Sequence, residues 1–427
     1  MDKVEEQNEI SADAACVTGI GIISCLGLGL GPLLGACLQG RSGLAADAEF
    51  GGFSGRIPAA VLRAAEQAVA SDAFTRHAFA GDRLDASPAA KLELLTAFAF
   101  MQAMQTSGNQ ALTDDTGIIF ATTTGAMANW ERDLPLYIDS EITATQFAQS
   151  FRDQHLGRCL DAVIANTGWR GPLQVLTSAC AAGTQALVLA HRWIKSGKVR
   201  RCLVGGAETL TQMTMRGFGC FSLTSPEIAA PFDTDRSGIN LSEAGVFLVL
   251  ERQERGNAAA SPNAKVGYLL GGATMLDAFD MTRPEPEGRG IYRAMQRALA
   301  SANTSPAAID WLYAHGTGTL ANDAAEATAA RVLFGDILEN QPIVSSTKAI
   351  HGHALGASGL LETALAFAAM QHGVILPSFN TKNVAPDLRL NIAKSTVRRQ
   401  PKRVLKSTLG FGGVNAAVVL GMGGVRR

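Results

Sequence analysis

The sequence has no long run of charges of one sign and no cysteine pair with the spacing of a metal site. Its 37 lysine and arginine residues nearly balance its 38 aspartate and glutamate residues, which gives a formal net charge of −1. Without a basic tract, a nucleic-acid or membrane-surface partner is not expected. The seven cysteines are odd in number and lack C-x-x-C spacing. This argues against a disulfide framework or a zinc site and favours a reducing compartment.

A membrane-spanning segment and a signal peptide are also missing from the pattern. The uncharged stretch 16–38 is interrupted by six glycines and Pro32, so we predict a buried strand over Val17–Ser24, a glycine loop and the start of a helix. Residues 1–15 are acidic and polar and lack the basic start and apolar run of a signal peptide. We therefore expect 1–15 to form a disordered tail and the protein to be cytoplasmic.

Apolar residues and glycine are abundant, at 47% hydrophobic and 45 glycines in 427 residues. Short apolar runs alternate with alanine-rich helical patterns, which predicts an α/β architecture with mostly buried sheets. The expected strands beyond the first are 117–123, 173–176, 201–206, 245–251, 265–272, 311–316, 342–346 and 415–421. The charged, then small and polar stretch 251–265 is the best internal boundary.

One cysteine lies where a strand-like run becomes a helix-like run. Cys180, in "TSACAAG", follows the apolar run 173–176, for which we expect a buried strand, and precedes a helical pattern that ends at Gly197. A helix N-terminus can stabilise a thiolate and make it a nucleophile. Small neighbours on both sides would let a substrate carbonyl approach. Taken alone, a packed and inert cysteine is the commoner explanation.

Two histidine-containing junctions and one glycine loop stand out in the second part of the chain. His315 ends an apolar run in "YAHGTGTLANDAAE", and His351 and His353 follow Lys348 in "SSTKAIHGHALGASG". No cysteine or carboxylate lies at zinc-ligand spacing there, and the GK[ST] ending of a phosphate loop is absent. Three glycines surround Phe411 in "STLGFGGVN", where free backbone N–H groups could face an oxyanion.

A thiol, two imidazoles and a loop with free amides together suit acyl transfer through a thioester. The thiolate would attack an acyl thioester, and backbone amides would hold the oxyanion. The imidazoles could donate hydrogen bonds to an enolate or transfer protons. A carboxylate base is not needed if the carbanion arises by loss of CO2.

The ordered set of motifs resembles the β-ketoacyl-acyl-carrier-protein synthases, the decarboxylating, elongating condensing enzymes. The likeness spans residues 16–421. It implies the thiolase fold, an α/β fold in which two βαβαβ-type halves, 16–258 and 259–427, form a five-layered α-β-α-β-α block. The motifs that carry it are "VTGIGIISCLG", "GRSGL", "TSACAAG", "VGGAE", "PFDTDRSGINLSEAG", "AHGTGTLANDAAE", "SSTKAIHGHALGASG" and "GFGGVNAAVVLG".

The resemblance also implies roles for individual residues. The catalytic positions fall on Cys180, His315, His353 and Lys348. Supporting positions of the same network are Asp323, Glu326, Thr317 and Thr319. The oxyanion hole would be formed by the amides of Cys180 and Phe411, with Phe411 as a gate flanked by Gly410 and Gly412, and Phe218 would line the acyl pocket.

The same resemblance implies the ligands and partners. The carbon chemistry of the family needs no metal or redox cofactor, so none is expected. The phosphopantetheine arm that carries the substrates arrives with an acyl carrier protein. The enzyme would be a homodimer, or a heterodimer with a chain-length-factor-like subunit.

Several positions depart from the common family pattern. His351 stands where threonine or another small residue is frequent. The chemistry is assigned to His353 instead, because the spacing of His353 from Lys348 matches the family motif. "LSEAGV" replaces "GEGAG", Leu409 replaces an aromatic residue, and "CFSLTSPEIAAPF" is short. This compact version is similar to condensing enzymes of specialised bacterial polyene pathways, including aryl polyenes.

Other functions remain as alternatives. A non-catalytic chain-length factor would lack the reactive cysteine, a thiolase would have a second cysteine near the last glycine loop, and a chain-initiating synthase usually has asparagine at position 353. A dinucleotide-binding oxidoreductase is suggested by "TGIGIIS", but the third glycine of G-x-G-x-x-G is Ser24 and no suitable acidic residue follows.

Overall fold

The computed structural model describes residues 14–72, 75, 88–108, 111–152, 155–164, 167–253 and 266–423. Most of the expected tail and the boundary at 258/259 lie outside these residues. Ala14 and Ala15 are buried, and Ala15 begins the first strand. The predicted tail 1–15 is therefore two residues too long.

Strands and helices alternate through the described ranges. The strands are β1 (Ala15–Ser24), β2 (Gly27–Leu28), β3 (Ala45–Ala46), β4 (Phe53–Ser54), β5 (Thr116–Ala121), β6 (Leu173–Leu176), β7 (Arg201–Glu208), β8 (Ala244–Arg252), β9 (Gly267–Leu276), β10 (Trp311–Tyr313), β11 (Ile343–Ser345), β12 (Arg403–Gly410) and β13 (Val414–Gly421). The helices are α1 (Leu30–Gln39), α2 (Ala59–Ser71), α3 (Pro88–Thr106), α4 (Met127–Ile138), α5 (Ala144–Arg152), α6 (Arg158–Ile164), α7 (Ala182–Lys195), α8 (Gln212–Cys220), α9 (Arg289–Ser301), α10 (Leu320–Phe334), α11 (Lys348–His351) and α12 (Ser358–Gln371).

The main sheet consists of two halves with the same strand order and directions. The first half runs β6-β5-β7-β8-β1 and the second β11-β10-β12-β13-β9. In each half the first three strands are parallel, the fourth pairs antiparallel with both of its neighbours, and the fifth runs in the direction of the first three. A short antiparallel pairing of β1 with β9 joins the halves. The predicted α/β fold with two related halves is confirmed.

Helices form three layers around the two halves of the sheet. α3 covers the outer face of the first half, and α9 covers the outer face of the second. α7 and α12 lie between them and contact strands of both halves. α12 is apolar on nearly every side, and all its residues before Gln371 are buried, as a helix in a central layer must be.

Two glycines allow the central helices to approach closely. A Cβ atom on Gly359 would lie 2.2 Å from the Thr184 Oγ1, and one on Gly183 would lie 2.5 Å from the Gly356 carbonyl oxygen. Side chains at either position would therefore push α7 and α12 apart, because protein interiors are close-packed. This contact brings the start of each helix against the other.

Most predicted strands are present, and three predictions need correction. β6 lies at the sheet edge, and Leu173 is 44% exposed, so the strand expected to be buried is open on one side. The strand expected over 311–316 ends at Tyr313. β12 was not predicted, because its buried middle, Lys406–Ser407–Thr408, is polar and breaks the apolar run.

The segment 16–38 forms strand, turn and helix as predicted, with β1 followed by β2 and α1. None of the helices in the described ranges is both long enough and apolar enough to cross a membrane.

Candidate active site

Cys180 lies in a tight turn between β6 and α7. The preceding residue, Ala179, has a positive φ of 47°, a conformation that non-glycine residues rarely adopt outside functional turns. Cys180 is 4% exposed. The backbone N–H groups of Cys180 and Phe411 each act to lower the pKa of the thiol, as donors on the side of the atom that would carry the acyl group do.

The Cys180 side chain is a protonated thiol in this environment. Burial raises its pKa to about 12, although the charge of Lys348 acts in the opposite direction. The thiolate expected from a helix N-terminus is therefore not the resting form, because burial of the sulfur disfavours the charged form. The sulfur needs a nearby proton acceptor.

His353 is that neighbour. Its Nε2 lies 3.0 Å from the Cys180 Sγ, and its Nδ1 lies 2.8 Å from the Ser358 Oγ at the start of α12. Its backbone N–H donates to the Asn240 carbonyl, and its carbonyl accepts from the Ser242 N–H. Burial, followed by the charge of Lys348, lowers the pKa of His353 well below 6.5, so the ring is neutral.

His315 completes the cluster from the other histidine junction. The His315 and His353 rings are 5.3 Å apart and nearly perpendicular. The thiol and the two imidazoles place one ligand-type atom each within 4.8 Å of one another. Burial, then Lys348, lowers the pKa of His315 well below 6.5, and its Nδ1 has no hydrogen-bond partner among the described residues.

Two charged side chains hydrogen-bond the backbone of His315, one at its N–H and one at its carbonyl. Its N–H donates to the Glu326 Oε1 at 2.7 Å, and its carbonyl accepts from the Lys348 Nζ at 2.7 Å. Glu326 also accepts from the Gly316 N–H at 2.9 Å. Because Glu326 lies on α10 and Lys348 on α11, two separate elements hold the peptide groups on either side of the His315 Cα.

Asp323 and two threonines order the loop that follows His315. Asp323 accepts the Gly318 N–H at 3.2 Å, and burial raises its pKa to about 6. The Thr317 and Thr319 hydroxyls are 2.9 Å apart and belong to the wall of the cavity in front of the cysteine. The residues predicted as a supporting network are therefore all beside the histidine junction.

A cavity of about 600 Å³ opens onto the cluster. Phe411 lies beside the sulfur in its wall, stacked on Phe218 with ring centres 5.1 Å apart and edge-on to Phe221 at 6.4 Å. Gly410 ends β12 so close to the nucleophile turn that a Cβ would lie 3.0 Å from the Ala181 nitrogen, and Gly412 has a φ of 78°. Both glycines are needed for the path of this loop.

The three ligand-type atoms are also a possible metal site by their chemistry, since sulfur and two imidazole nitrogens suit zinc. Within the described ranges it is the one cluster of three such side chains with this proximity. The prediction that the protein works without a metal stays a prediction.

Comparison with known proteins identifies the family. Residues 12–256 match the family described as "Beta-ketoacyl synthase, N-terminal domain", and residues 266–382 match "Beta-ketoacyl synthase, C-terminal domain". The chain belongs to the β-ketoacyl synthase family.

Individual relatives cover between about three fifths and nearly all of this β-ketoacyl synthase. The chain is 29% identical over 418 residues to "3-oxoacyl-[acyl-carrier-protein] synthase 2" of Synechocystis sp., covering 94% of this chain and 96% of that protein. It is 36% identical over 252 residues to "Nodulation protein E" of Rhizobium leguminosarum bv. trifolii, covering 59% of this chain and 62% of that protein, which is less than two thirds of the relative's length.

Solved structures of similar shape include ketosynthases with partner subunits. "The ishigamide ketosynthase/chain length factor" superposes with a TM-score of 0.80 at 26% identity, over 96% of this chain and 99% of that chain. A ketosynthase in complex with its chain length factor from Xenorhabdus doucetiae gives a TM-score of 0.75 at 25% identity, over 96% and 98% of the two chains. The five-layered thiolase fold predicted for the β-ketoacyl synthase is confirmed.

His351, the extra histidine of this β-ketoacyl synthase, turns away from the sulfur. Its Nε2 lies 2.8 Å from the Thr347 Oγ1 and its Nδ1 lies 2.7 Å from the Gly352 carbonyl oxygen. Burial lowers its pKa to about 4. The ring that contacts Cys180 is His353, as the spacing from Lys348 predicts.

Some residues of the site were not predicted from the sequence. Met215, Ile239, Leu241 and Leu355 form an apolar cluster around Cys180, against which Phe218 packs. A buried carboxylate, Glu362, pairs with Lys348 and with Lys406. The only sequence signal for Glu362 was a single charge inside an otherwise apolar helix, which is costly unless it is paired. Lys406 lies in the polar stretch 406–408, which hides the strand itself.

Proposed function

We propose that this β-ketoacyl synthase is an elongating enzyme. It joins an acyl group carried on Cys180 to the two-carbon unit of malonyl-acyl-carrier protein by decarboxylative Claisen condensation. The observation that carries the proposal is the thiol 3.0 Å from one neutral imidazole, with a second imidazole in the same cluster. Histidine at both positions suits condensation with loss of CO2.

The first step transfers the acyl group to the cysteine. His353 takes the thiol proton, the sulfur attacks the thioester carbonyl, and the N–H groups of Cys180 and Phe411 stabilise the oxyanion. The bond between the acyl carbon and the carrier sulfur then breaks, and the carrier thiolate takes the proton from His353. The Ser358 hydroxyl can donate to Nδ1 or accept from it, so the His353 Nε2 can act with or without a proton.

The second step forms the carbon–carbon bond. The two imidazoles donate hydrogen bonds to the thioester oxygen of the malonyl group, the bond to its carboxylate breaks, and CO2 leaves. The electron pair becomes an enolate, whose carbon attacks the acyl group on Cys180. The carbon–sulfur bond breaks, the β-ketoacyl chain is released two carbons longer, and the thiolate takes a proton from solvent.

No redox cofactor or metal takes part in these steps. The substrates arrive on the phosphopantetheine arm of an acyl carrier protein in the cytoplasm. Thr317 and Thr319 are two of the polar residues in the cavity wall, and we assign to them contact with that arm.

Assembly with a second subunit is part of the proposal. The edge strand β6 has a half-open face, with Leu173 44% exposed beside the nucleophile turn, and an unpaired edge of this kind readily pairs with another chain. The subunit is a second copy or a chain-length-factor-like partner. Measuring mass and activity of the protein alone and with candidate partners distinguishes a homodimer from a heterodimer.

The pathway is proposed at a finer level from the sequence departures. Leu409, "LSEAGV" and the short segment before Pro231 support a specialised polyene pathway, including aryl polyenes. A panel of saturated and polyenyl primers, each loaded on a carrier protein, tests this. Preference for saturated primers contradicts the pathway while leaving the condensation intact.

The condensation itself is tested with malonyl-carrier protein and an acyl primer, read by intact-protein mass spectrometry. We expect acyl-Cys180 as an intermediate and a β-ketoacyl-carrier product. Failure to form either species, with any partner and primer, would contradict the proposed function. Nicotinamide binding in a titration would support the oxidoreductase alternative.

A further inference from the structure

Lys406 is a fully buried lysine in the middle of β12 that takes no part in the proposed steps. A buried ammonium is costly unless it is paired and hydrogen-bonded. The position is therefore expected to have a structural or functional reason, and its contacts indicate one.

The contacts of Lys406 connect two otherwise separate parts of the site. Its Nζ lies 2.9 Å from the Glu362 Oε2 on α12. It also donates to the Ser407 carbonyl and to the Thr408 Oγ1 at 3.3 Å. The Tyr313 ring lies below it, with the Nζ 5.6 Å from the ring centre.

From Glu362 the connection continues to the carbonyl side of His315. The other carboxylate oxygen, Oε1, pairs with the Lys348 Nζ. Lys348 in turn donates to the His315 carbonyl at 2.7 Å. Two lysines thus share one carboxylate, one on each oxygen.

From Ser407 the connection continues to the N–H side of His315. The Ser407 Oγ donates to the Glu326 Oε1 at 2.6 Å. The same oxygen accepts the His315 N–H at 2.7 Å. The contacts therefore form a closed ring that starts and ends at the peptide of His315.

We propose that Lys406 is a positioning residue for the condensation reaction. By closing this polar ring it fixes the peptide of His315 and, through it, the direction in which the imidazole faces the malonyl thioester. The inference rests on the proposed function, since it concerns the decarboxylation step.

The ring is also balanced in charge. Two ammonium groups face two carboxylates, and the loss of Lys406 would leave one negative charge in excess beside the imidazoles. The titratable or charged groups that face Lys406 or interact with it are Glu362 of α12, Lys348 and His351 of α11, Glu326 of α10, Tyr313 of β10, and the two site histidines, His315 and His353. An excess negative charge favours the protonated imidazole.

The test is Lys406→Met, which replaces the ammonium by an unbranched apolar side chain one heavy atom shorter and so removes the charge. We expect acyl loading of Cys180 to remain and decarboxylation of malonyl-carrier protein to fall about 10²-fold, as for a misplaced catalytic group. The acid limb of the decarboxylation profile should move to higher pH, because the histidine pKa rises. NMR of ¹⁵N-histidine-labelled protein measures that pKa directly and does not require condensing activity.

A second variant breaks the ring without removing a charge. Ser407→Ala removes the hydrogen bond to Glu326, so decarboxylation should fall with the acid limb unchanged. This variant keeps the proposal testable if Lys406→Met does not fold. Lys91→Met is the matched control, because Lys91 pairs with the buried Glu243 at 2.6 Å outside the ring, and it should not move the histidine pKa.

The inference would be overturned if the Ser407→Ala variant decarboxylated malonyl-carrier protein at the wild-type rate. It would also be overturned if a folded Lys406→Met variant kept both the wild-type rate and the wild-type histidine pKa. If the wild-type protein itself makes no β-ketoacyl product, the proposed function fails. The NMR comparison then still shows whether Lys406 controls the histidines.

Discussion

The two halves of the sheet have the same strand order but bring different chemistry to the site. The connection from β6 to α7 carries Cys180, and the corresponding connection from β11 to α12 carries His353. The pairing of equivalent connections places the two side chains 3.0 Å apart. One scaffold used twice therefore provides a nucleophile from one half and its proton acceptor from the other.

The surroundings of the two contributions differ. Cys180 is surrounded by small and apolar side chains, with backbone N–H groups as donors. His315 is held by a ring of charged and polar groups. A thiol that must accept a bulky acyl group needs space, whereas an imidazole that must point in one direction needs fixed partners.

The residues after β5 and β10 show the same contrast. After β5, the Thr123 N–H and the Thr124 hydroxyl donate to the buried Glu208, which also accepts the Gly356 N–H at 3.2 Å from the second half. After β10, the corresponding region carries His315. Glu208 thus links the halves structurally, where the second half has a side chain of the thiol–imidazole cluster.

The largest expected effect comes from removing the contribution of the first half. Cys180→Ala should abolish acyl loading, because Cys180 is the single thiol among the described residues that line the cavity and its sulfur lies 3.0 Å from the His353 Nε2. Intact-protein mass spectrometry after incubation with acyl-carrier substrate measures it. Cys220→Ala, at an exposed cysteine, is the control and should load normally; loading on the Cys180 variant would contradict the assignment.

Removing the contribution of the second half should separate the two steps. His353→Ala should leave loading partly intact and lower condensation by about 10²–10⁴-fold, the range for loss of a proton-transfer group. Product formation and acyl-enzyme are measured in one reaction. The control is His351→Thr, at the buried histidine that does not contact the sulfur, and this variant should condense normally. Equal losses of condensation in both variants would contradict the assignment of the chemistry to His353.

The contact between the halves is tested at the central helices. Gly359→Ala places a Cβ 2.2 Å from the Thr184 Oγ1 and 2.8 Å from its nitrogen, so the free energy of unfolding should fall by about 1–3 kcal/mol. Urea unfolding measures it. Gly35→Ala in α1, where a Cβ meets nothing within 4 Å, should be neutral or slightly stabilising; an equally stable Gly359 variant would mean that α7 and α12 can separate freely.

The smallest expected effect is a difference between the halves in how their buried titratable groups change folding stability with pH. The site histidines have lowered pKa values in the folded chain, so below about pH 6.5 the unfolded chain binds more protons and stability falls as pH falls. Burial raises the pKa of Glu208 from 4.5 to about 7. Between these two pH values the folded chain binds the extra proton, so the contribution of Glu208 to folding stability is lost as pH rises from 4.5 to 7. Relative to wild type, Glu208→Gln should therefore gain stability as pH rises from 4.5 to 7.

Urea titrations between about pH 4 and 8 measure this difference. A constant difference between Glu208→Gln and wild type across the range would show that Glu208 titrates normally.

Much of the site could be predicted from the order of short motifs. Cys180, His315 and His353 each lie at the junction of an apolar run and a glycine-rich or small-residue turn, and such junctions are visible locally. Lys406 and Glu362 have no comparable signal, because Glu362 is one charge in an apolar helix and Lys406 lies in a polar stretch. β12 was missed for the same reason, since its three central residues are polar and fully buried.

The amino-acid sequence by itself determined the alternation of strands and helices and the identity of the thiol and the two imidazoles. These properties depend on local patterns of apolar, small and polar residues. Only the tertiary structure decided that Cys180 meets His353 across 173 residues of chain, that the thiol rests protonated, and that two lysines share Glu362. Distance, burial and charge pairing depend on which segments fold together, and a local pattern carries no information about them.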